Sequence, residues 1–258
     1  MGASQVRARQ TRAGAVIVAA DDETSAGGSR IQRYRDGPKE GPLAAGDPEH
    51  IEAISAHIER HVGPIGMVWH ESVSTTIHVD IHHVLPGSGR DYHTLVTSGM
   101  SELPMHVPEG LEEFAYAELV VLLPRSWPLT REAFQDERHY WPIRTMKILA
   151  RFPHEYSTWL GTEHTLPNGN PPEPYAEGTE LCCTVLTAPV SLPEEFFTLE
   201  LEDRRIHFLT VVPLHADEME LKLNQGADAL YERLEEHGIS DVIDARRKSA
   251  CAKRRRWF

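Results

Sequence analysis

His78, Asp80 and His82 are the residues best spaced for chemistry in this 258-residue chain. Over 75–85 they alternate with Ile77, Val79 and Ile81, so an extended backbone sets the three polar side chains on one face of a half-buried strand. Two imidazoles and a carboxylate at that spacing could share a divalent cation, with His93 or His106 adding a ligand. Such a set would suit a metal-dependent hydrolase. The same residues could instead line the polar face of the strand and hydrogen-bond one another, because histidine is frequent here, with 15 in the chain.

Other catalytic templates fail. There is no G-x-S-x-G, H-E-x-x-H or Walker loop. Gly87-Ser88-Gly89 opens like a dinucleotide fingerprint, but Tyr92 stands where the third glycine belongs. Ser98-Gly99-Met100-Ser101 offers hydroxyls with no base tied to them, and reads as a glycine-assisted turn. Cys182 and Cys183 fall in an expected strand, where neighbours face opposite ways, so at least one belongs to the core. Asp217, Glu218 and Glu220 crowd the first turn of an expected helix. Carboxylates there complement the helix dipole, and could also take a cation or a basic peptide. The segment 253–258 (KRRRWF) pairs cations with aromatics, which could grip nucleic acid, dock on an acidic body or remain solvated.

The elements that must position these residues follow from periodicity. Residues 1–46, rich in Gly, Ala, Ser and Arg, read as a disordered extension. Asp47-Pro48 starts a helix through Ile51, Ile54, Ile58 and Val62, and Gly63 stops it. The strand at 75–85 and a second at 92–97 flank the turn-rich 86–91 and form a hairpin. Residues 114–123, apolar on both faces, read as a central strand ended by Pro124. Thr130 caps a helix to about Tyr140, and a second helix runs from Pro142 to Pro153. The Pro/Gly-rich stretch 165–178 is a long loop of the kind that is usually functional or mobile. Strands follow at 180–187, 196–202 and 205–212, then one long helix over 216–237. The order predicts an α/β fold of the α+β type: one domain over 47–251 with a mixed, largely antiparallel sheet covered by helices, and a basic tail at 252–258.

Charge is divided unevenly. The chain has 26 Lys+Arg and 39 Asp+Glu, but 14 of the cations and only 5 of the acids lie in 1–45 and 246–258. Residues 46–245 are left with 12 cations against 34 acids, a net of −22. That body repels nucleic acid and favours a basic partner. Three cysteines, two of them adjacent, make no disulfide framework, and no apolar run reaches membrane-spanning length. The stretch 13–20 after Arg7, Arg9 and Arg12 is similar to a short signal peptide, but the free-thiol pattern favours a cytoplasmic location.

The segments 93–105 (HTLVTSGMSELPM), 114–129 (FAYAELVVLLPRSWPL), 148–166 (ILARFPHEY…GTEHTL), 195–234 (EFFTLELEDRRIHFLTVVPLHADEMELKLNQGADALYERL) and 241–251 (DVIDARRKSAC) together resemble the suppressor of fused family, specifically its single-domain bacterial members. The resemblance implies a domain like the N-terminal half of the eukaryotic proteins, which bind Gli-type transcription factors and hold them inactive. It implies no catalytic activity and no cofactor. It also implies a bacterial role as an immunity or regulatory protein, since the family includes proteins that neutralise toxins. A toxin domain with a basic surface would fit the acidic body. Partner contacts in the eukaryotic members fall in the segment matching 151–164, which marks Phe152, Glu163 and His164. Phe152 stands in place of a tyrosine and Glu163 in place of an aspartate. The eukaryotic peptide is clamped between two domains, whereas this resemblance covers one.

Overall fold

The structure, a computed structural model, describes residues 23–34, 37–38, 46–71, 76–87 and 89–252. The stretch at 13–20 and the tail at 253–258 lie outside the described residues.

Within the expected N-terminal extension, β1 (Glu23–Thr24) and β2 (Arg30–Ile31) form a small antiparallel hairpin. Helix α1 (Pro48–His61) begins where the Asp47 carboxylate accepts from the Glu49 N–H, with proline in its first turn, and buries Ile54, His57 and Ile58. Strands β3 (Ile65–Trp69), β4 (Asp80–Val84), β5 (Tyr92–Ser98) and β6 (Tyr116–Pro124) pair antiparallel in sequence order. Helix α2 (Glu137–Tyr156) follows, then β7 (Thr165–Pro167), β8 (Cys183–Thr187), β9 (Thr198–Glu200) and β10 (Arg205–Leu214). Helices α3 (Ala216–Gln225) and α4 (Ala227–Glu236) close the order. The large sheet runs β3-β4-β5-β6-β10-β8-β7, with β9 also paired to β10. Only the β6–β10 pairing is parallel among the described strands, so the sheet is mixed and largely antiparallel.

Three apolar clusters explain why helices cover this sheet. One face carries Ile81, Leu95, Leu119, Val121 and Leu123, on which α2 lays Trp141, Ile143, Met146 and Leu149. The other face carries Val84, Val96, Val120 and Leu122, covered by Ile54 and Ile58 of α1 and by Phe196. The third joins Cys183, Val185, Val212 and Leu214 to Leu230 and Leu234 of α4. Each fully buried large side chain contributes about 1.5–3 kcal/mol.

Three expectations are corrected. The two helices expected around Pro142 are one: Thr130 caps only a short 3-10 turn at Ala133–Gln135, while Asp136 caps α2, which contains both Pro142 and Pro153. Pro142 lies in the second turn, where it deletes one backbone hydrogen bond, and burial of the flanking Trp141 and Ile143 outweighs that loss. The long helix expected over 216–237 breaks into α3 and α4 at Gly226, whose φ of 96° no helix can contain. The stretch 165–178 is anchored. Buried Tyr175 stacks on Trp141 at 4.9 Å and 12°, and its carbonyl accepts from Arg144 Nη2 at 2.9 Å. Cys182 and Cys183 are both buried, their sulfurs 3.9 Å apart, and burial pushes the Cys183 thiol up.

Candidate functional site

Two places gather candidate groups: the histidine-bearing region around β4, and the surface at the C-terminal end of α2.

At β4 the expected trio does not assemble. Asp80 is buried and meets His78, its Oδ1 3.0 Å from His78 Nε2. The second imidazole comes from His70, just past β3, with Nδ1 2.8 Å from Asp80 Oδ2. His82 instead places Nε2 2.9 Å from Ser98 Oγ, is 2% exposed, and is held by burial at a pKa of about 4. A carboxylate on the register partner of Ser98 and a histidine two residues later share a strand face, but only the first reaches solvent-side groups. His93 is committed to another cluster, 2.9 Å from His83 Nε2, with Trp69 stacked on His83 at 5.1 Å. Burial and the neighbouring His93 bring His83 down to about 4.

The turn after β5 is built by a residue the sequence hid inside an apolar run. Glu118 on β6 is fully buried and accepts from the hydroxyls of Thr97 (2.6 Å) and Ser101 (2.6 Å) and the N–H groups of Gly99 (3.0 Å) and Ser101 (2.9 Å). Burial pushes its carboxyl up, against the pull of these donors. Gly99 has φ 110°, and a Cβ there would lie 1.8 Å from the His78 carbonyl oxygen. The Ser98–Ser101 segment is therefore a structural turn. A second buried carboxylate, Glu218, grips Arg247 through Nη1 (2.5 Å) and Nη2 (2.6 Å), and clamps 247–250 onto α3. Its proximity to the dipole of α3 was legible; its ion pair was not.

The residues marked by the resemblance lie on two elements, Phe152 on α2 and Glu163 and His164 just before β7. Phe152 is half-buried, packed on the core from below and facing Tyr156 at 4.9 Å. Tyr34 covers both rings edge-on, at 5.1 Å from Phe152 and 5.3 Å from Tyr156. Its hydroxyl donates to Thr158 Oγ1 (2.6 Å), which donates on to Gln32 Oε1 (3.0 Å). The same N-terminal segment reaches α3, where the Gly27 N–H donates to the Leu223 carbonyl at 2.8 Å. A Cβ on Gly27 would meet the Gly226 nitrogen at 2.4 Å, so only glycine permits this approach.

Glu163 and His164 lie at the start of β7, bonded through their backbones to Leu186 (2.7 and 2.9 Å). His164 meets Trp159 edge-on at 4.4 Å, and burial lowers its pKa. Glu163 is exposed and lies close enough to Lys222 and Tyr231 to act on both electrostatically; burial first, then Glu163, pushes Tyr231 up to about 12. Among the described residues, the two non-glycines with left-handed backbones are Ser157 (φ 51°) and Glu163 (φ 67°), both in this segment. Such strain collects at functional surfaces.

The comparisons with known proteins agree with this architecture. The family model for suppressor of fused protein matches residues 75–248, more than half of the chain, so the chain belongs to the suppressor of fused family. No curated protein sequence matches it. The fold is similar to that of a suppressor of fused homologue from Neisseria gonorrhoeae, with a TM-score of 0.60 at 15% identity over 80% of this chain and 100% of that one. It is also similar to a chain of the Sufu–Fu complex, with a TM-score of 0.54 at 12% identity over 78% of this chain and 92% of that one. Drosophila Suppressor of Fused gives 0.54 at 13% identity over 80% of this chain, which spans about half (54%) of the Drosophila protein. Among the described residues no helix is long and apolar enough to cross a membrane.

Proposed function

We propose that this chain is a non-enzymatic protein-binding domain, a bacterial immunity or regulatory protein of the cytoplasm that covers a basic surface of its partner. Phe152, Glu163 and His164 belong to the contact face. One observation carries the reading: the aromatic ledge at the end of α2 already holds a segment of chain, its own residues 32–34. A surface that binds a tyrosine edge and its hydroxyl in this way can bind a partner segment of similar chemistry. The Sufu–Fu complex gives a structural relative with a protein partner. The net charge of −22 over 46–245 adds long-range attraction for a cationic surface and speeds encounter.

The hydrolase built on His78, Asp80 and His82 gains no support from the geometry, since His82 is buried against Ser98. The test of binding is capture from native cell extract on immobilised full chain, with retained proteins identified by mass spectrometry. A basic polypeptide held in stoichiometric amount is expected. Retention of no protein, or only of acidic ones, would contradict the reading.

A further inference from the structure

We propose that His70, His78 and Asp80 bind one divalent transition-metal ion, zinc or a cation of similar character. This inference stands apart from the protein-binding role and does not depend on it.

The ligand atoms of the three residues all lie within 4.8 Å of one another. The two imidazoles approach opposite oxygens of one carboxylate, at 2.8 and 3.0 Å. A tetrahedral ion with bonds of about 2.0–2.1 Å needs ligands roughly 3.3 Å apart, so the imidazoles have to turn from their direct contacts with the two carboxylate oxygens to share one ion, starting from ligand atoms no more than 4.8 Å apart. Two nitrogens and one carboxylate oxygen select zinc, cobalt or nickel over magnesium or calcium. The His70 side chain is 72% exposed and that of Asp80 only 7%, so the group forms a half-open cup with room for a water as fourth ligand.

The chain around each ligand is also anchored. Asp80 is paired in register with Ser98, and its Oδ1 accepts from the Glu71 N–H at 3.2 Å. The backbone at His78 is pressed against Gly99, where no Cβ fits. The segment bearing His70 is tied to α2 because the Glu71 carboxylate pairs with Arg151 and with Lys147. A cup held from three elements loses little freedom when an ion enters. The other histidine groups lack this form: His83 and His93 are buried against one another with Trp69 stacked on His83, and His57 is buried against the paired rings of Phe196 and Phe208.

The test uses untagged, metal-stripped full chain titrated with Zn²⁺ by calorimetry, and with Co²⁺ by absorption spectroscopy. We expect one ion per chain, proton release on binding, and the visible bands of tetrahedral Co²⁺. His70→Ala, a change at an exposed side chain, should weaken Zn²⁺ about 100-fold and abolish the Co²⁺ bands while the far-ultraviolet circular dichroism is unchanged. Asp80→Asn should do the same, and His237→Ala, at a distant exposed histidine, should leave both signals intact. Failure of the native chain to take up a stoichiometric ion would overturn the proposal. So would Zn²⁺ binding that survives His70→Ala.

Discussion

Tyr34 meets Phe152 edge-on, its ring centroid 5.1 Å away at 86°, and thereby covers the aromatic ledge with the chain's own N-terminal segment. The contact joins residues 118 positions apart and places residues 32–34 on the face proposed to hold a partner. A partner segment using that ledge has to displace Tyr34. Tyr34→Ala should therefore cost only about 0.5–1.5 kcal/mol of stability and tighten partner binding by a few-fold. Parallel thermal unfolding and affinity measurements on the variant decide this; weaker binding would show that Tyr34 is part of the contact surface itself.

Glu118 supplies the acceptor for two hydroxyls and two backbone N–H groups around Gly99 and Ser101. Glu118→Ala strands these donors in the core, and should destabilise the fold by at least about 3 kcal/mol in urea unfolding. Glu118→Gln keeps one acceptor and should lose less. Equal losses would mean that the carboxylate is not the organising group.

Gly99 adopts φ 110° and touches the His78 carbonyl. Gly99→Ala must move the end of β5 away from the segment before β4 that bears His78, and should cost more than about 3 kcal/mol. Gly238→Ala, at φ 64° with open space around the new methyl, should cost only about 1 kcal/mol. Similar unfolding midpoints for the two variants would contradict the close approach.

His82 and His83 are held neutral, both lowered from 6.5 to about 4 by burial. In the unfolded chain they take up protons near pH 6.5, whereas the folded chain resists until about 4. Stability is therefore full above pH 6.5 and falls as the pH drops toward 4, by about 3 kcal/mol per histidine at the limit. Urea unfolding at a series of pH values should show this slope, and His83→Gln should flatten it. A stability independent of pH between 7 and 4.5 would refute the assignment.

Much of this fold is legible in the sequence because its strands are strongly patterned. Ile77, Val79 and Ile81 are all buried as their alternation predicts, although β4 begins only at Asp80 rather than at 75, and the apolar run of β6 announces a central strand. The charge split and the aromatic Phe152 are equally visible. Period-two alternation sets Asp80 and His82 on one face, but which of them a neighbouring strand seals depends on residues far away in the chain. Ser98 on β5 takes His82 inward, and His70 arrives from β3 to fill its place. The same limit hides Glu118, a single acid whose four donors lie about 20 residues away in the chain. Gly226 reads as a tolerated helical glycine until Gly27 is seen against its nitrogen. The hairpin at β1–β2 has too little apolar periodicity to be read alone, and takes its order from contacts with Leu223 and Thr158.

The most direct test of the protein-binding account is the affinity of the captured partner for native chain and for Glu163→Lys, at low salt and near 1 M salt. Charge reversal at this exposed position leaves the core untouched. The account predicts a loss of at least about 10-fold in affinity on reversal, and a marked weakening of native binding at high salt. A partner that binds both proteins equally, with no response to salt, would contradict it.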